Sequence, residues 1–438
     1  MKKTTATFLL LCWLGGSGRL LAQQVLTLPG AIQAALQRNY DIQMAGNDAA
    51  VGQANYLAAK GAQLPQVNLT ASDNYQLNNL KQKYTTGSDV VKDGVPANAT
   101  AVGATASVVL FNGMRLQALG RENKFLALAS TASLTATVQY TISQVIGQYY
   151  QVVRQQEYLK NLDRDNKLYQ DRLDLTRQMK DNGLASQADV NTAQIDLDQN
   201  NQARQEQAQL TLEARADLYQ LLHFRADTAL AISDTIRSGA PTALDVILKQ
   251  LPASPEYAVY TCNTAALEQN LEATKGLRYP NLRLNAGYNF SLSQTAAGFT
   301  LLNQSYGPFA GITLNAPLYT GGVARQEQQV ARLDYLNTQL KQEQAMSQMQ
   351  TDAYKSWTAL QSDRQQITLQ REMIAAADQN LSLETERYKL RVSGLLELRT
   401  AQQQRDAIFF KLTDLEYQAK LEEIELYRLT GQLSPSSY

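Results

Sequence analysis

The sequence predicts an α+β membrane protein made of two copies of one unit, in which a pair of alternating strands precedes a long antiparallel helical hairpin. Three observations support this fold class: an internal repeat at a fixed offset, strands with a two-residue apolar period, and helices with a seven-residue apolar period. Together they favour duplication of a large supersecondary element.

The repeat is visible when the chain is aligned with itself. Residues 109–113 resemble residues 317–321, an offset of 208, and the same offset aligns Asp189 with Glu397. Upstream, a Lys-Gly pair and the proline that follows it recur at an offset of 215, so the connecting loops differ in length. The predicted division is a signal peptide at 1–22, a first repeat at 23–223, a connecting region at 224–255, a second repeat at 256–430 and a tail at 431–438.

Helices rich in Ala, Gln and Leu are predicted at 31–63 and about 256–277, and strands follow. Residues 282–293 alternate apolar and polar side chains, as the first copy does from Val67 onward. Partner strands are predicted at 102–111 and 310–319, with polar, glycine-containing loops at about 79–100 and 294–306.

The alternation has two explanations. Strands with one apolar and one polar face suit a membrane barrel with a wet lumen, whereas an isolated strand of this kind also suits the edge of a soluble sandwich. Four strands are too few to close a barrel, so strands in lipid require several protomers. The predicted lipid-facing side chains are Leu282, Leu284, Tyr288 and Phe290.

Long helices are predicted at about 113–180 and 322–390, because neither stretch contains a proline. At ~1.5 Å per residue each would span roughly 100 Å. Apolar residues recur every seven positions in the second stretch, from Met346 and Ala353 through to Tyr388, which predicts coiled-coil packing. Returning helices are predicted at 187–222 and 395–429, and each long helix with its returning helix forms a hairpin.

The N terminus has the pattern of a secretory signal peptide, with Lys2 and Lys3, a short apolar run and a small residue at Ala22. We expect cleavage after Ala22 and no lipid anchor. Removal of Lys2, Lys3 and Arg19 leaves 37 basic residues against 40 acidic ones, a net charge of about −3, which implies no nucleic-acid partner.

Catalysis and cofactor binding are not predicted. Cys262 and His223 are the single cysteine and histidine after the signal peptide, which argues against a His/Cys metal site and leaves nucleophiles without a histidine partner. We expect a structural role for His223. The sequence predicts no cofactor and no enzyme activity.

Several short motifs occur in a specific order along the chain. They are Leu-Thr-Leu at 26–28, Leu-Pro at 64–65 before a strand, Pro-Leu-Tyr before two glycines at 317–322, and Gly-Leu-Ala-Ser at 183–186 before Asp189. In order, spacing and duplication they resemble the TolC-like outer membrane factor (outer membrane efflux protein) family. The resemblance covers essentially the whole mature chain.

The resemblance implies a homotrimer in the outer membrane, in which three sets of four strands form a 12-stranded β-barrel on an α-helical periplasmic tunnel. It implies the exit duct of a tripartite efflux pump or a type I secretion system, a passive conduit for small molecules or polypeptides. The implied partners are a periplasmic adaptor (membrane fusion) protein, an inner-membrane pump or ABC transporter, and outer-membrane lipid. The alternative is a soluble periplasmic coiled-coil scaffold or adhesin, with an envelope hydrolase as a third class.

The resemblance places the turns of the hairpins at the periplasmic entrance. It makes adaptor-contact candidates of Gly183, Leu184, Ala185, Ser186, Ser393, Gly394 and Leu395. Helix capping is the other role open to them, and we expect both roles together.

Glu397 and Asp189 are the candidates for an entrance constriction, where a threefold axis would make a ring of charge. The alternative is a carboxylate that stabilises the start of a helix, which we prefer for Asp189. We expect a solvated face for Asp196 and Asp198. Arg391 stands where the first copy has Gly183, so a differently shaped second turn is expected.

Overall fold

The computed structural model describes residues 25–83, 85–225, 231–237, 239, 242–298 and 300–433. The predicted signal peptide and residues 434–438 of the predicted tail lie outside this range. The helices and strands are α1 Leu28–Arg38, α2 Tyr40–Gly61, β1 Gln66–Gln82, β2 Val90–Phe111, α3 Arg115–Asp181, α4 Gln187–Leu222, α5 Leu244–Gln250, α6 Pro255–Lys275, β3 Asn281–Thr295, β4 Leu302–Asn315, α7 Val323–Lys389 and α8 Leu395–Leu429.

The helix predicted at 31–63 is two helices, divided at Asn39. The Asn39 side chain accepts hydrogen bonds from the backbone N–H of Asp41 (2.8 Å) and of Ile42 (3.2 Å), so it caps the start of α2. Asparagine is a favoured N-cap because its oxygen satisfies N–H groups that lack a partner within the helix.

The sheet is antiparallel with the order β1-β2-β3-β4. Its first hairpin is longer than predicted, since Gln82 pairs with Val90 and the loop expected at 79–100 is mostly strand. A register shift between Asn78 and Leu80 and a hydrogen bond from the Gly94 N–H to the Asn79 side chain (2.9 Å) accompany the extension. Polar residues suggested a loop here, whereas cross-strand pairing keeps them in the sheet.

The second hairpin also differs from the prediction. β3 ends at Thr295 and β4 runs from Leu302 to Asn315, so the strand predicted at 310–319 is placed too late and the loop predicted at 294–306 is too long. Pro317 explains the end, because proline has no N–H to offer the sheet. Pro308 lies within β4, and an outer strand tolerates it.

The four long helices match their predicted bounds within about two residues, and α3 and α7 each contain 67 residues. Ala353 (0% exposed) and Leu360 (3%) of the seven-residue series in α7 are buried, as predicted. Within the described ranges, no helix combines the length and the apolar character needed to cross a membrane.

The chain divides into two compact units that draw on both halves of the sequence. Unit 1 contains Met1–Ala35, Val145–Arg237 and Glu372–Tyr417, and unit 2 contains Leu36–Gln144, Ser238–Arg371 and Gln418–Tyr438. The element order from α2 to α4 recurs from α6 to α8, but the division into two repeats stays a prediction.

Each unit has its own core. In unit 1, Tyr149, Leu218 and Leu222 are buried, and the Tyr149 hydroxyl donates to the Leu26 carbonyl at 3.2 Å. In unit 2, Leu251, Ile424 and Leu429 are buried, and Arg428 forms a partly exposed ion pair with Glu256 at 2.7 Å.

Replacement of Leu218 by alanine tests the core of unit 1. Leu218 is fully buried, so the cavity should lower the free energy of unfolding by ~2–5 kcal/mol. Leu212 lies on the same helix with 58% of its surface exposed, and Leu212→Ala should change the free energy of unfolding by less than ~0.5 kcal/mol. Thermal denaturation of the purified protein measures both, and equal effects would contradict the burial described here.

Candidate functional site

The turn between α3 and α4 stops one helix and starts the next. Gly183 has a positive φ of 72°, its N–H donates to the Lys180 carbonyl at 2.8 Å, and the Leu184 N–H donates to the Met179 carbonyl at 2.8 Å. This is the hydrogen-bond pattern of a glycine C-cap. Ser186 then caps α4 through a reciprocal capping box with Asp189.

The turn between α7 and α8 has the same hydrogen-bond pattern at the equivalent positions. The Arg391 N–H donates to the Tyr388 carbonyl (3.1 Å), the Val392 N–H donates to the Arg387 carbonyl (2.8 Å), and Arg391 has a φ of 64°. The expectation of a differently shaped second turn is therefore wrong. A left-handed arginine costs ~1–2 kcal/mol more than glycine, which the surrounding turn must offset.

Arg391 also joins the two turns. Its Nη2 donates to the backbone carbonyl of Leu184, 207 positions away, at 2.8 Å. Sequence reasoning missed this contact because it noted only that a glycine was absent. The signal for the contact was the arginine itself: the position equivalent to Gly183 carries a long cationic side chain, which can reach a carbonyl oxygen of the neighbouring turn.

Apolar packing beneath the turns separates the candidate residues into two groups. Ala185 and Leu395 pack against a buried cluster of Met179, Tyr388 and Leu398. The other apolar side chains of the turns are exposed and form a surface that we call the tip patch: Leu184 (54% exposed), Leu390 (74%), Val392 (67%) and Leu396 (70%).

The two candidate carboxylates both bind their own turn. Asp189 accepts from the backbone N–H of Ser186 (2.8 Å) and from its hydroxyl (2.7 Å), and these hydrogen bonds lower the pKa of Asp189. Glu397 accepts from the Gly394 N–H at 3.1 Å. Because the folded-state pKa of Asp189 is lowered, its contribution to stability is present above the ordinary carboxyl range and is lost as the pH falls through the folded value.

Asp196 does not lie on a solvated face, contrary to expectation. It is 5% exposed and binds Arg172 at 2.6 Å and Arg399 at 3.0 Å, whereas Asp198 is exposed as expected. The position of Asp196 three residues after the buried Ala193 was a signal for burial, since such spacing lies on one helix face. A buried carboxylate persists where cations pair with it.

The sheet in unit 2 has one apolar face. Residues directly opposite in neighbouring strands share a face, and the register places Leu69, Ala104, Tyr288 and Pro308 in one row. The rows on either side are also apolar: Ala71, Val102, Phe290 and Tyr306; Val67, Ala106, Ala286 and Ala310.

The predicted lipid-facing residues belong to this apolar face. Leu282 pairs with Leu314, and Leu284 pairs with Val108 and Ile312. The opposite face carries mainly small and polar side chains, such as Asn285 next to Ser107. Exposure of Leu69 (76%) and Ile312 (66%) shows that the chain leaves the apolar face uncovered.

No group of three or more His, Cys, Asp or Glu side chains suited to a metal ion occurs in the part of the chain that the structure describes. The candidate functional features are thus the two-faced sheet in unit 2 and the paired hairpin turns in unit 1.

Residues 31–222 and 250–432 match the protein family described as outer membrane efflux protein. The chain belongs to this family. The match identifies it as an outer membrane efflux protein, and it confirms the family, the efflux function and the outer-membrane location predicted from the sequence motifs.

Two relatives agree with this assignment. The chain is 25% identical to the outer membrane protein TolC of Vibrio cholerae over 60% of its length, a match that spans 58% of that protein. It is 25% identical to the outer membrane efflux protein BepC of Brucella suis, over 95% of this chain and 89% of the relative.

Solved structures confirm the predicted fold class. The CmeC outer membrane channel of Campylobacter jejuni superposes with a TM-score of 0.79 at 14% identity, covering 94% of this chain and 88% of CmeC. The outer membrane protein VceC of Vibrio cholerae gives 0.77 at 17% identity, covering 92% and 96%. At these identities the likeness concerns the fold alone.

Alanine substitution at Gly183 tests the turn of this efflux protein. An added Cβ at Gly183 meets nothing within 4 Å, so the expected loss of ~1 kcal/mol comes from the left-handed backbone. Gly46 in α2 has equal space and lies in ordinary helix, so Gly46→Ala should stabilise by ~0.5–1 kcal/mol.

Hydrogen exchange of the turn and of α2 measures the two effects separately. Effects of the same sign in both variants would contradict the backbone explanation.

Proposed function

We propose that the chain is the exit duct of a tripartite efflux or secretion assembly, a passive conduit across the outer membrane. The observation that supports the proposal most directly is the uncovered apolar face of the sheet, which continues across all four strands. A surface of this kind suits contact with lipid, and the small and polar opposite face suits a wet lumen.

The assembly proposed for the duct is a homotrimer. β1 and β4 are the outer strands of the sheet, and their outward N–H and C=O groups need partners wherever water is excluded. Copies of the same chain supply those partners when β4 of one protomer pairs with β1 of the next. Three protomers of four strands give a 12-stranded barrel, in keeping with the family resemblance.

The proposed adaptor-contact surface is the pair of hairpin turns. Gly183, Ser186 and Gly394 are exposed, and the tip patch adds large apolar side chains from both turns. Exposed apolar clusters mark sites of protein contact. A periplasmic adaptor protein is the proposed partner there, with an inner-membrane pump or ABC transporter behind it.

The proposed entrance constriction involves Glu397 and Asp189. Glu397 is exposed and Asp189 is partly exposed, and each binds a backbone N–H group of its own turn. Capping therefore fixes where each charge lies. In a trimer, the threefold axis would arrange the three copies of Glu397 as one ring and the three copies of Asp189 as another. The contact from Arg391 to the Leu184 carbonyl limits how far the two turns of one protomer can separate.

The conduit is proposed to be passive, and the absence of enzyme activity stays a prediction. Energy for transport would come from the partners. The side chains of the small and polar sheet face are generic, so the proposal covers both small molecules and polypeptides as cargo. The alternative of a soluble scaffold or adhesin receives no support from the family match or from the relatives.

Membrane fractionation followed by planar-bilayer recording tests the proposed duct. The native protein should fractionate with the outer membrane as a detergent-stable trimer, and the purified protein should form discrete channels. A protein that stays monomeric and soluble without detergent would contradict the proposal.

Two neighbouring arginine substitutions test the faces of the sheet. Leu284→Arg places a charge on the apolar face, where ~2–4 kcal/mol of destabilisation is expected near the bilayer midplane. Asn285→Arg places the same charge on the opposite face, where Asn285 lies beside Thr313 at 3.4 Å, and should be better tolerated. The amount of trimer recovered from outer membranes measures both, and equal losses would contradict the face assignment.

Photo-cross-linking in the producing cell tests the tip patch. A cross-linking residue at Leu184 or Leu396 should capture a periplasmic or inner-membrane-anchored adaptor protein, identified by mass spectrometry. Leu212, which is 58% exposed on α4, is the matched control and should not capture it. The same product from Leu212, or none from either turn, would contradict the proposed contact.

A further inference from the structure

A pair of carboxyl groups lies between the two hairpins in unit 1. Asp165 of α3 is 2% exposed, and Asn161, one turn earlier, is fully buried. The Asn161 Nδ2 donates to Asp165 Oδ2 at 2.7 Å and approaches Asp406 Oδ1 of α8 at 3.4 Å. One amide therefore holds two carboxyl groups together, although two adjacent negative charges repel each other.

The positive charge beside this pair is divided among three acids. Arg405 Nη1 lies 3.2 Å from Asp406 Oδ1 and 3.8 Å from Asp165 Oδ1, and its Nε donates to Asp378 Oδ1 of α7 at 3.0 Å. Arg405 also donates to the Asn161 side chain. Its charge is therefore not available to Asp165 alone.

Other groups complete the surroundings of Asp165. Arg164 of α3 lowers the pKa of Asp165, and Arg164 and Arg405 both lie against the Phe409 ring of α8. Tyr169 of α3 lies in the field of Asp165, of Asp406, of Arg172 and of Asp196 from α4.

We propose that Asp165 and Asp406 form a proton-operated latch between the first hairpin and the second. One proton shared by the two carboxyl groups holds α3 against α8, and its loss leaves two adjacent carboxylates that push the helices apart. The latch goes beyond the channel function, and only its consequence for conductance rests on the proposed duct.

The direction of the pH effect follows from the pKa. Burial, and then the charge of Asp406, raise the pKa of Asp165 from 3.8 to about 7. A carboxyl group whose pKa is raised in the closed state stabilises that state fully below the ordinary value, and the contribution is lost as the pH rises to the raised value. The latch is thus tightest near pH 4 and contributes nothing further above about pH 7.

The coupling between proton binding and separation of α3 from α8 sets the size of the expected pH effect. When the closed state holds one proton more than the open state, separation of the helices becomes up to about tenfold more frequent for each pH unit. Between pH 5 and pH 7 the wild-type protein should therefore open up to about a hundredfold more often. Above pH 7 the opening frequency should level off.

Hydrogen exchange of the full-length trimer between pH 5 and pH 8.5 tests the latch, after correction for the intrinsic exchange rate. Protection of residues 157–169 and 402–410 should fall up to pH 7 in the wild type. Asp165→Asn removes the ionisable group and should abolish this dependence, whereas Asp171→Asn, an exposed acid on the same helix, should retain it. A flat wild-type profile, or an unchanged slope in Asp165→Asn, would overturn the proposal.

Infrared titration gives a second measurement, which can refute the latch with the wild-type protein alone. A carboxylic acid C=O band should disappear as the pH rises through about 7. Asp406→Asn provides a second variant should Asp165→Asn fold poorly, and it should move the titration to lower pH because the repelling charge is gone. If no carboxylic acid band titrates in this range, the latch does not exist.

Planar-bilayer recording separates the latch from the duct. Open probability should rise between pH 5 and pH 7 in the wild type and stay constant in Asp165→Asn. Channels with a flat hydrogen-exchange profile would refute the latch alone. A pH-dependent profile without channels would refute the duct and leave the latch in place.

Discussion

Backbone hydrogen bonding at the two outer strands constrains the architecture more than any other interaction. The four-stranded sheet ends at β1 on one side and at β4 on the other, and its apolar face is uncovered. Lipid offers no hydrogen bonds to such edges, so the sheet needs further copies of the chain to be stable in a membrane. The exposed side chains of the apolar face, such as Leu69 and Ile312, have a different cause, because a lipid-facing sheet surface is apolar.

Contacts between the hairpins in unit 1 have a different chemistry from the sheet. Several are polar and buried, such as Asp196 of α4 with Arg399 of α8 at 3.0 Å and the Thr176 hydroxyl with the Tyr388 hydroxyl at 2.9 Å. Buried ion pairs contribute less net stability than apolar contacts of similar size because their desolvation offsets their attraction. Such contacts favour an arrangement of the helices in which each buried polar group keeps its partner.

The two turns show how a duplicated element keeps its geometry while its residues diverge. Gly183 and Arg391 have the same backbone conformation, and the same pair of hydrogen bonds closes each turn. The arginine is strained there, but its side chain gains the Leu184 carbonyl as a partner. The substitution thus adds a contact between the hairpins at a position where glycine offers none.

The sequence by itself determined the elements whose pattern is local. The long helices and the alternation of Leu282 and Leu284 follow from periodicity, and the family follows from the order of short motifs. The capping of Ser186 was also predictable, because an acid three residues later is a local signal.

Only the tertiary structure decided features that depend on residues distant in sequence. The start of β2 at Val90 depends on pairing with β1, and the burial of Asp196 depends on Arg172 and Arg399 from other helices. The same holds for Asp165, which looks like an ordinary helix-surface acid until Asn161, Arg405 and Asp406 enclose it. Periodicity states which side of a helix is apolar, but the charge that a buried acid carries is set by the groups that the fold brings to it.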